Sequence, residues 1–270
     1  MVAKDYNRLH MHFARWFAMV LDNPQKAILT KRVKSRAIDA GFVSVGVAEV
    51  DRLRELYYGW AGEVREIFRP EKELPSTRSV VVMAYSIPDH GYFLNIPAPR
   101  LRSSEKHQES KGPGHNSYVY EVMKNKAWRV VEYLRDEGFE TKWSVGIPLK
   151  TTGVLCGIGY QGKSSLLVTP SHGPRVDLIA ILTSAELNPD VPFERDLCGT
   201  CEKCIIACPT NAIEPYRLRI NHCMVYPLEC PDSTEVPDSV REKADQLITR
   251  PTRSSFIQCS RCMDVCPIGR

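Results

Sequence analysis

Ten cysteines mark this 270-residue chain, and all but Cys156 lie beyond residue 190. Four of them fall in CGTCEKCIIACP, at Cys198, Cys201, Cys204 and Cys208, just before Pro209. The spacing C-x-x-C-x-x-C-x-x-x-C-P is that of a bacterial ferredoxin run. Three evenly spaced thiolates wrap one iron–sulfur cubane, and the fourth starts a helix that carries it to another cluster. A second run, CSRCMDVCP, supplies Cys259, Cys262 and Cys266, with Phe256 where its first cysteine would stand. Two cubanes need eight thiolates, and Cys223 in RINHC is the natural replacement, with Cys230 its rival. With Cys223, crossed ligation gives Cys198, Cys201, Cys204 and Cys266 to one 4Fe–4S cluster. The other takes Cys208, Cys223, Cys259 and Cys262. Zinc is the competing reading, because it also takes four cysteines, but its modules usually present two separated pairs. Cys156 and Cys230 read as small buried residues. Two cubanes imply one-electron transfer and leave the acceptor unnamed.

The elements that must position these thiols come from the first two-thirds of the chain. Residues 23–41 read as a helix, with Asn23 as its cap, Pro24 in its first position and Gly41 at its end. FVSVGVA (42–48) and RSVVVMAYSI (78–87) read as strands, the second fully buried. Residues 50–68 look helical in two pieces. SYVYEVMKNKAWRVVEYLRDEG (117–138) is the longest helical pattern, ended by Gly138, and a short strand follows at KWSV. SLLVT (165–169) and VDLIAILTS (176–184) are further strands. The segment from about 89 to 116 is rich in Pro, Gly, Ser, Lys and His, and its length suggests a lid or flap. Helix and strand alternate to about residue 190, where prolines appear and the cysteines begin. The expected organisation is an α/β domain over 1–190 and a two-cluster ferredoxin-like domain over 191–270.

Composition adds bounds. The chain is 43% hydrophobic and 25% charged with a net charge of +4, ordinary for a globular protein and too mild to name a partner. The N-terminus lacks a basic tip followed by a long apolar run, and no apolar stretch approaches the roughly 18 residues of a membrane helix. A cytoplasmic protein without a membrane anchor is expected, with its thiols kept reduced. The His10-x-His12 pair lacks partners for a metal site.

GIGYQGKSS (157–165) fits two nucleotide patterns, G-x-x-x-x-G-K-S and G-x-G-x-x-G. Either needs a helix behind it whose amides face a phosphate. Here the exit is β-rich and broken by Pro170 and Pro174, so neither context is met. What is left is a glycine-rich turn where backbone must pass close to something, a neighbouring helix or a flat cofactor.

Together these residues resemble a family. GFVSVGVA (41–48), LPSTRSVVVMAY (74–85), GIGYQGKSSLLVTP (157–170), CGTCEKCIIACPTNAI (198–213), INHC (220–223) and CSRCMDVCP are similar to the corresponding stretches of epoxyqueuosine reductase and, more distantly, of corrinoid reductive dehalogenases. The resemblance implies an α+β fold, with a nitroreductase-like first domain holding a cobalamin that is reduced through the two clusters. It implies that Gly157, Gly159, Tyr160, Gly162, Lys163 and Ser164 lie beside the corrinoid. A ferredoxin or flavodoxin would donate the electrons, and the substrate would be a small molecule or a modified nucleoside on tRNA.

The sequence departs from the family in three places. The aspartate that serves as proton donor in V-D-[ST]-x-P has no counterpart in WSVGIPLKT (143–151). Tyr160 stands where tryptophan is usual. Many relatives continue into helical repeats that help hold tRNA, whereas this sequence ends at Arg270. Tyr118, Tyr120, His115 and Lys150 are then the candidates for proton donor. The alternative to a cobalamin-dependent reductase is a non-catalytic electron-transfer protein that docks a redox partner and binds no cobalamin. A zinc-bearing nucleic-acid module is disfavoured, because basic and aromatic residues do not cluster with the cysteines.

Overall fold

In a computed structural model of the chain, residues 24–54, 69–98, 114–231 and 233–270 are described. The expected helix beyond Arg54, the middle of the expected flap and the His10/His12 pair lie outside them, as does the side chain of His115.

Helix α1 (Pro24–Asp39) begins on its proline and ends as expected. Gly41 takes φ 96°, Gly41 N–H donates to the Ile38 carbonyl and Phe42 N–H to the Ala37 carbonyl, a pairing that closes the last turn. Strand β1 (Ser44–Glu49) follows, then short helices α2 (Val50–Arg54) and α3 (Pro70–Glu73), and strand β2 (Ser79–Ser86). A 3-10 turn at His90–Phe93 leads into β3 (Leu94–Ala98), and β4 (Gly114–Ser117) leads into the long helix α4 (Tyr118–Asp136). Strand β5 (Thr141–Ser144), helix α5 (Leu149–Leu155), the short strands β6 (Tyr160–Gln161) and β7 (Leu167–Val168), and β8 (Val176–Thr183) complete the larger lobe.

The main sheet has the order β1-β2-β8-β5, antiparallel throughout. β2 and β8 are apolar on both faces because both faces are covered. Val81, Met83, Ile179 and Ile181 join a core with α1 and with the Val119, Met123, Ala127, Val130, Val131 and Leu134 stripe of α4. Val80, Val82, Ala84, Leu178, Ala180 and Leu182 point the other way, onto Ile147, Cys156, Ile158 and Leu167. Helix and antiparallel sheet thus give an α+β fold, and Cys156 is a core residue.

The smaller lobe is made of α6 (Lys203–Ile206), the β9–β10 hairpin (Ile213–Glu214 and Arg217–Leu218), α7 (Tyr226–Glu229), α8 (Asp238–Leu247), β11 (Phe256–Ile257) and α9 (Arg261–Asp264). Its small core is Met224, Ala244, Ile248 and Phe256. The lobes share a sheet of order β11-β3-β4. The expected flap therefore has strand-forming ends, a difference from the sequence reading. Its prolines and glycines suggested loop, but a third strand from far along the chain supplies the pairing that a loop would lack.

The segment joining the lobes is pinned. Asp190 accepts from Lys34 Nζ at 2.6 Å and from the Val47 amide at 2.8 Å, and its own N–H donates to the Val47 carbonyl at 2.8 Å. Val47 is fully buried, so its amide has no water to fall back on. Asp190→Ala should destabilise the protein by about 2 kcal/mol. Asp190→Asn, which keeps an oxygen for Val47, should lose less than half of that; urea denaturation of both variants is the check.

Candidate metal centre

Two short helices hold the cysteine runs. In the first, Cys201 N–H donates to the Cys198 carbonyl at 2.9 Å, and α6 then carries the chain to Cys208. In the second, α9 separates Cys259 from Cys266 and packs against α6. Phe256, in the place of the missing cysteine, is 1% exposed and opens β11.

The thiols fall into two neighbourhoods that cross between the runs. Cys204 feels the charges of Cys198 and Cys266, and Cys266 those of Cys198 and Cys201. Cys223 feels Cys259 and Cys208, and Cys259 feels Cys208. Cys262 feels Cys259, Cys223, Cys204 and Cys208, so it faces both groups. The charged neighbour of Cys230 is Glu229, with no other thiol among its described influences. Burial is the first cause in each case; it raises the Cys204, Cys223, Cys259 and Cys266 thiols and pushes Cys262 up to about 12. All ten cysteines are free of disulfides. Among the described residues, no three His, Cys, Asp or Glu side chains converge closely enough to share one metal ion.

A cavity of about 290 Å³ is walled by Cys208, Cys223, Cys259 and Cys262. Ile213, Met224 and Val225 make it largely apolar, while Lys150, Ser164 and Glu229 give it polar edges. Backbone amides point at sulfur: Ala212 N–H reaches Cys208 Sγ at 3.3 Å and Lys163 N–H reaches Cys198 Sγ at 3.4 Å. The Arg175 guanidinium, at the start of β8, donates to the carbonyls of Met263 and Cys266 at 3.1 Å and of Ile268 at 2.6 Å.

The glycine-rich stretch is a β-hairpin, with Tyr160 opposite Val168 and Ser165 at φ 62°. Of the two expected neighbours of this turn, a helix or a flat cofactor, neither is met: the described residues place a strand and a connecting segment against it. A Cβ on Gly157 would lie 2.6 Å from the Val191 carbonyl oxygen, one on Gly159 2.3 Å from that of Val168, and one on Gly162 2.5 Å from Val168 Cγ2. The glycines make room for protein. Tyr160, Lys163 and Ser164 are buried, and Ser164 alone of this set lines the cavity.

The proton-donor candidates separate. Tyr118 is exposed and continues a row of rings, Tyr85 to Tyr92 at 6.1 Å and Tyr92 to Tyr118 at 5.4 Å. Lys150 lines the cavity. Tyr120 stands near two carboxyls: the charge of Asp177, then burial, then Glu229 hold its phenol well above the ordinary range. Sequence reading passed over both acids. Asp177 opens an apolar strand and Glu229 lies between the cysteine runs, so only folding brings them to one lysine. Burial pushes Asp177 up to about 6 against the opposing pull of Lys150.

Comparison with known proteins places this geometry. Residues 197–269 match the family described as a 4Fe-4S double cluster binding domain. Epoxyqueuosine reductase of Bacillus subtilis (strain 168) is 26% identical over 214 residues, which are 77% of this chain and 52% of that protein. The chain resembles epoxyqueuosine reductase. A solved epoxyqueuosine reductase, described with a tRNA-Tyr epoxyqueuosine-modified tRNA stem loop, superposes with a TM-score of 0.62 at 22% identity, over 89% of this chain and 65% of that one. A reductive dehalogenase, described with a mechanism for B12-dependent dehalogenation, shares the fold at a TM-score of 0.56 and 17% identity, over 91% of this chain and 32% of that one. This chain thus spans about half the length of the Bacillus reductase and a third of the dehalogenase. Among the described residues no helix is long and apolar enough to cross a membrane.

The raised Asp177 has a consequence for stability. Its ionised form is disfavoured in the fold, so the stability present below its unfolded value near 3.8 is lost as pH rises through about 6. Asp177→Asn keeps an acceptor for the Leu178 amide, which now reaches the carboxylate at 2.8 Å. The variant should match the wild type near pH 4 and exceed it by roughly 1–2 kcal/mol above pH 7, allowing for the partial exposure of the site. Thermal midpoints measured across that range test the sign.

Proposed function

We propose that this chain is an iron–sulfur oxidoreductase of the epoxyqueuosine reductase type. One observation carries the reading: Cys208 of the first run shares a cavity with Cys223, Cys259 and Cys262, so the thiols cross between the two cysteine runs. In it, Cys198, Cys201, Cys204 and Cys266 hold one 4Fe–4S cluster, and Cys208, Cys223, Cys259 and Cys262 hold the second. When bound, the clusters supply one-electron transfer between a donor protein, a ferredoxin or flavodoxin, and the larger lobe formed by residues 1–190. The chain's own residues prepare the site. Ile213, Met224 and Val225 exclude water, and the amides of Ala212 and Lys163 donate to sulfur. Lys150 is the candidate that can present a proton at the cavity wall, with Asp177 and Tyr120 behind it. The tRNA stem loop named for the relative supports an RNA-borne modified nucleoside as substrate ahead of a free small molecule. Ten unpaired cysteines suit a reducing, cytoplasmic setting.

A corrinoid, supported by the B12-dependent dehalogenase, does not fit the described residues. The Cβ directions of Gly157, Gly159 and Gly162 point into Val191 and Val168, and of the residues expected beside a corrinoid Ser164 alone lines the 290 Å³ cavity, which is walled by thiols. The same observation favours a second reading, an electron carrier that docks a redox partner. Turnover of an epoxyqueuosine-bearing tRNA stem loop with reduced ferredoxin separates reductase from carrier.

Two measurements test the site. Anaerobically loaded protein should carry about eight iron atoms, the content of two cubanes. Cys223→Ser should lose about half of them and Cys230→Ser none; the reverse pattern would overturn the ligand assignment. Hydroxocobalamin mixed with the loaded protein should give a visible spectrum equal to the sum of its parts and should separate on gel filtration. A retained corrinoid would show that the misfit is wrong.

A further inference from the structure

The hairpin over residues 157–168 belongs to the larger lobe, yet it closes on a ligand of the smaller one. Tyr160 Oη lies 3.5 Å from Cys198 Sγ, and the Lys163 amide donates to the same sulfur at 3.4 Å. A Cβ on Gly162 would stand in ordinary contact with Cys198 Sγ at 3.6 Å but only 2.5 Å from Val168 Cγ2, so this glycine lets the hairpin pack on itself while its turn faces the sulfur. Tyr160 is 5% exposed, and its ring stacks on Phe193 at 5.9 Å between centroids with the planes 24° apart. With Cys198 ligating as a thiolate, the sulfur accepts and the hydroxyl is the donor.

The contact is locked from both sides. Gln161 Nε2 donates to the Tyr216 carbonyl at 2.8 Å, and Tyr216 N–H donates to the Lys163 carbonyl at 3.1 Å. The Tyr216 hydroxyl donates to Asp196, whose other carboxylate oxygen takes the Cys198 amide at 2.8 Å. A sulfur ligand with two aimed donors carries a stabilised negative charge, and the reduced cluster is the more negative state. Donors to the sulfurs therefore raise the reduction potential.

We propose that Tyr160 is a positioning and tuning residue for the cluster bound through Cys198, so that the larger lobe sets the potential of a centre whose ligands lie in the smaller one. The proposal rests on the two-cluster reading above. It gives the glycine-rich turn a task without a nucleotide or a macrocycle: the turn covers one sulfur, and its glycines let the hairpin pack on Val168 and Val191. It also makes the two centres unequal, because Cys198 receives a phenol and an amide from the other lobe whereas Cys208 receives the amide of Ala212 and faces Thr210 Oγ1 at 3.7 Å, both from its own lobe.

The test is Tyr160→Phe, which keeps the ring on Phe193 and removes the hydroxyl. Wild type and variant are loaded anaerobically, assayed for iron and sulfide, and titrated with EPR detection. Cys204→Ser in the otherwise wild-type chain marks which signal belongs to the Cys198 group. With eight irons in both proteins, the potential of that cluster should fall by a three- to tenfold change in its one-electron equilibrium, about 30 to 59 mV, while the other stays fixed. Eight irons with both potentials unmoved would overturn this inference and leave the two-cluster reading standing, as would a shift confined to the other cluster. A variant that fails to load also counts against it, because a stacked ring should suffice to hold the fold. Four irons or zinc in the wild type would remove the two-cluster reading and this inference together.

Discussion

The guanidinium of Arg175 is shared among three carbonyl oxygens at the far end of the chain, and that sharing fixes where the second cysteine run can sit. Met263 lies in the last turn of a short helix and Cys266 and Ile268 just beyond it, and a planar group with five donors can take several carbonyls at once. Because Arg175 also stands at the head of β8, an inner strand of the main sheet, the run ending in Cys266 is indexed to the buried centre of the larger lobe. Pairing of β11 with β3 and the hold of Asp190 on β1 act in the same sense at two other points. The thiol neighbourhoods cross only because the lobes meet in one register.

Inside that frame the thiols are placed where water cannot easily charge them. Burial raises five of the eight proposed ligands, among them Cys262, which stands where the two groups meet. Such a site favours ligands that bring their own positive charge, as iron does, and the amides of Lys163 and Ala212 supplement it from the backbone. Neutral donors aimed at sulfur add no charge to desolvate, so they adjust a buried centre with little penalty to folding. Lys150 stands apart at the edge, where a charged group can keep contact with solvent.

Much of this was legible in the sequence, for reasons that can be named. Cysteine spacing is local, so the two runs and their proline stops announce themselves. α1 and α4 are long, carry an apolar stripe, and end on Gly41 and Gly138, which need the left-handed conformation they adopt. Other features depended on pairing across the chain. Nothing in VDLIAILTS says that β8 lies between β2 and β5. Nothing local says that residues 94–98 are a strand, because their partner is Phe256 and Ile257. Asp177 and Glu229 were missed for the same reason: each is unremarkable beside its neighbours in sequence, and each gains meaning only from Lys150 and Tyr120. The glycine-rich turn was recognised as a close approach, but what approaches is the Val168 strand and a cysteine sulfur.

The β11 strand carries a consequence for how the molecule is made. Its two residues stand opposite Asn95 and Leu94 in the ladder, and the Gln258 amide that follows donates to the Phe93 carbonyl at 3.0 Å. During synthesis the receiving edge of β3 emerges long before its third strand, while Cys259, Cys262 and Cys266 emerge just after it. These three cysteines therefore follow the edge that orients them in the order of synthesis. A fragment lacking the earlier residues would present β11 as a bare, sticky margin instead of a paired strand.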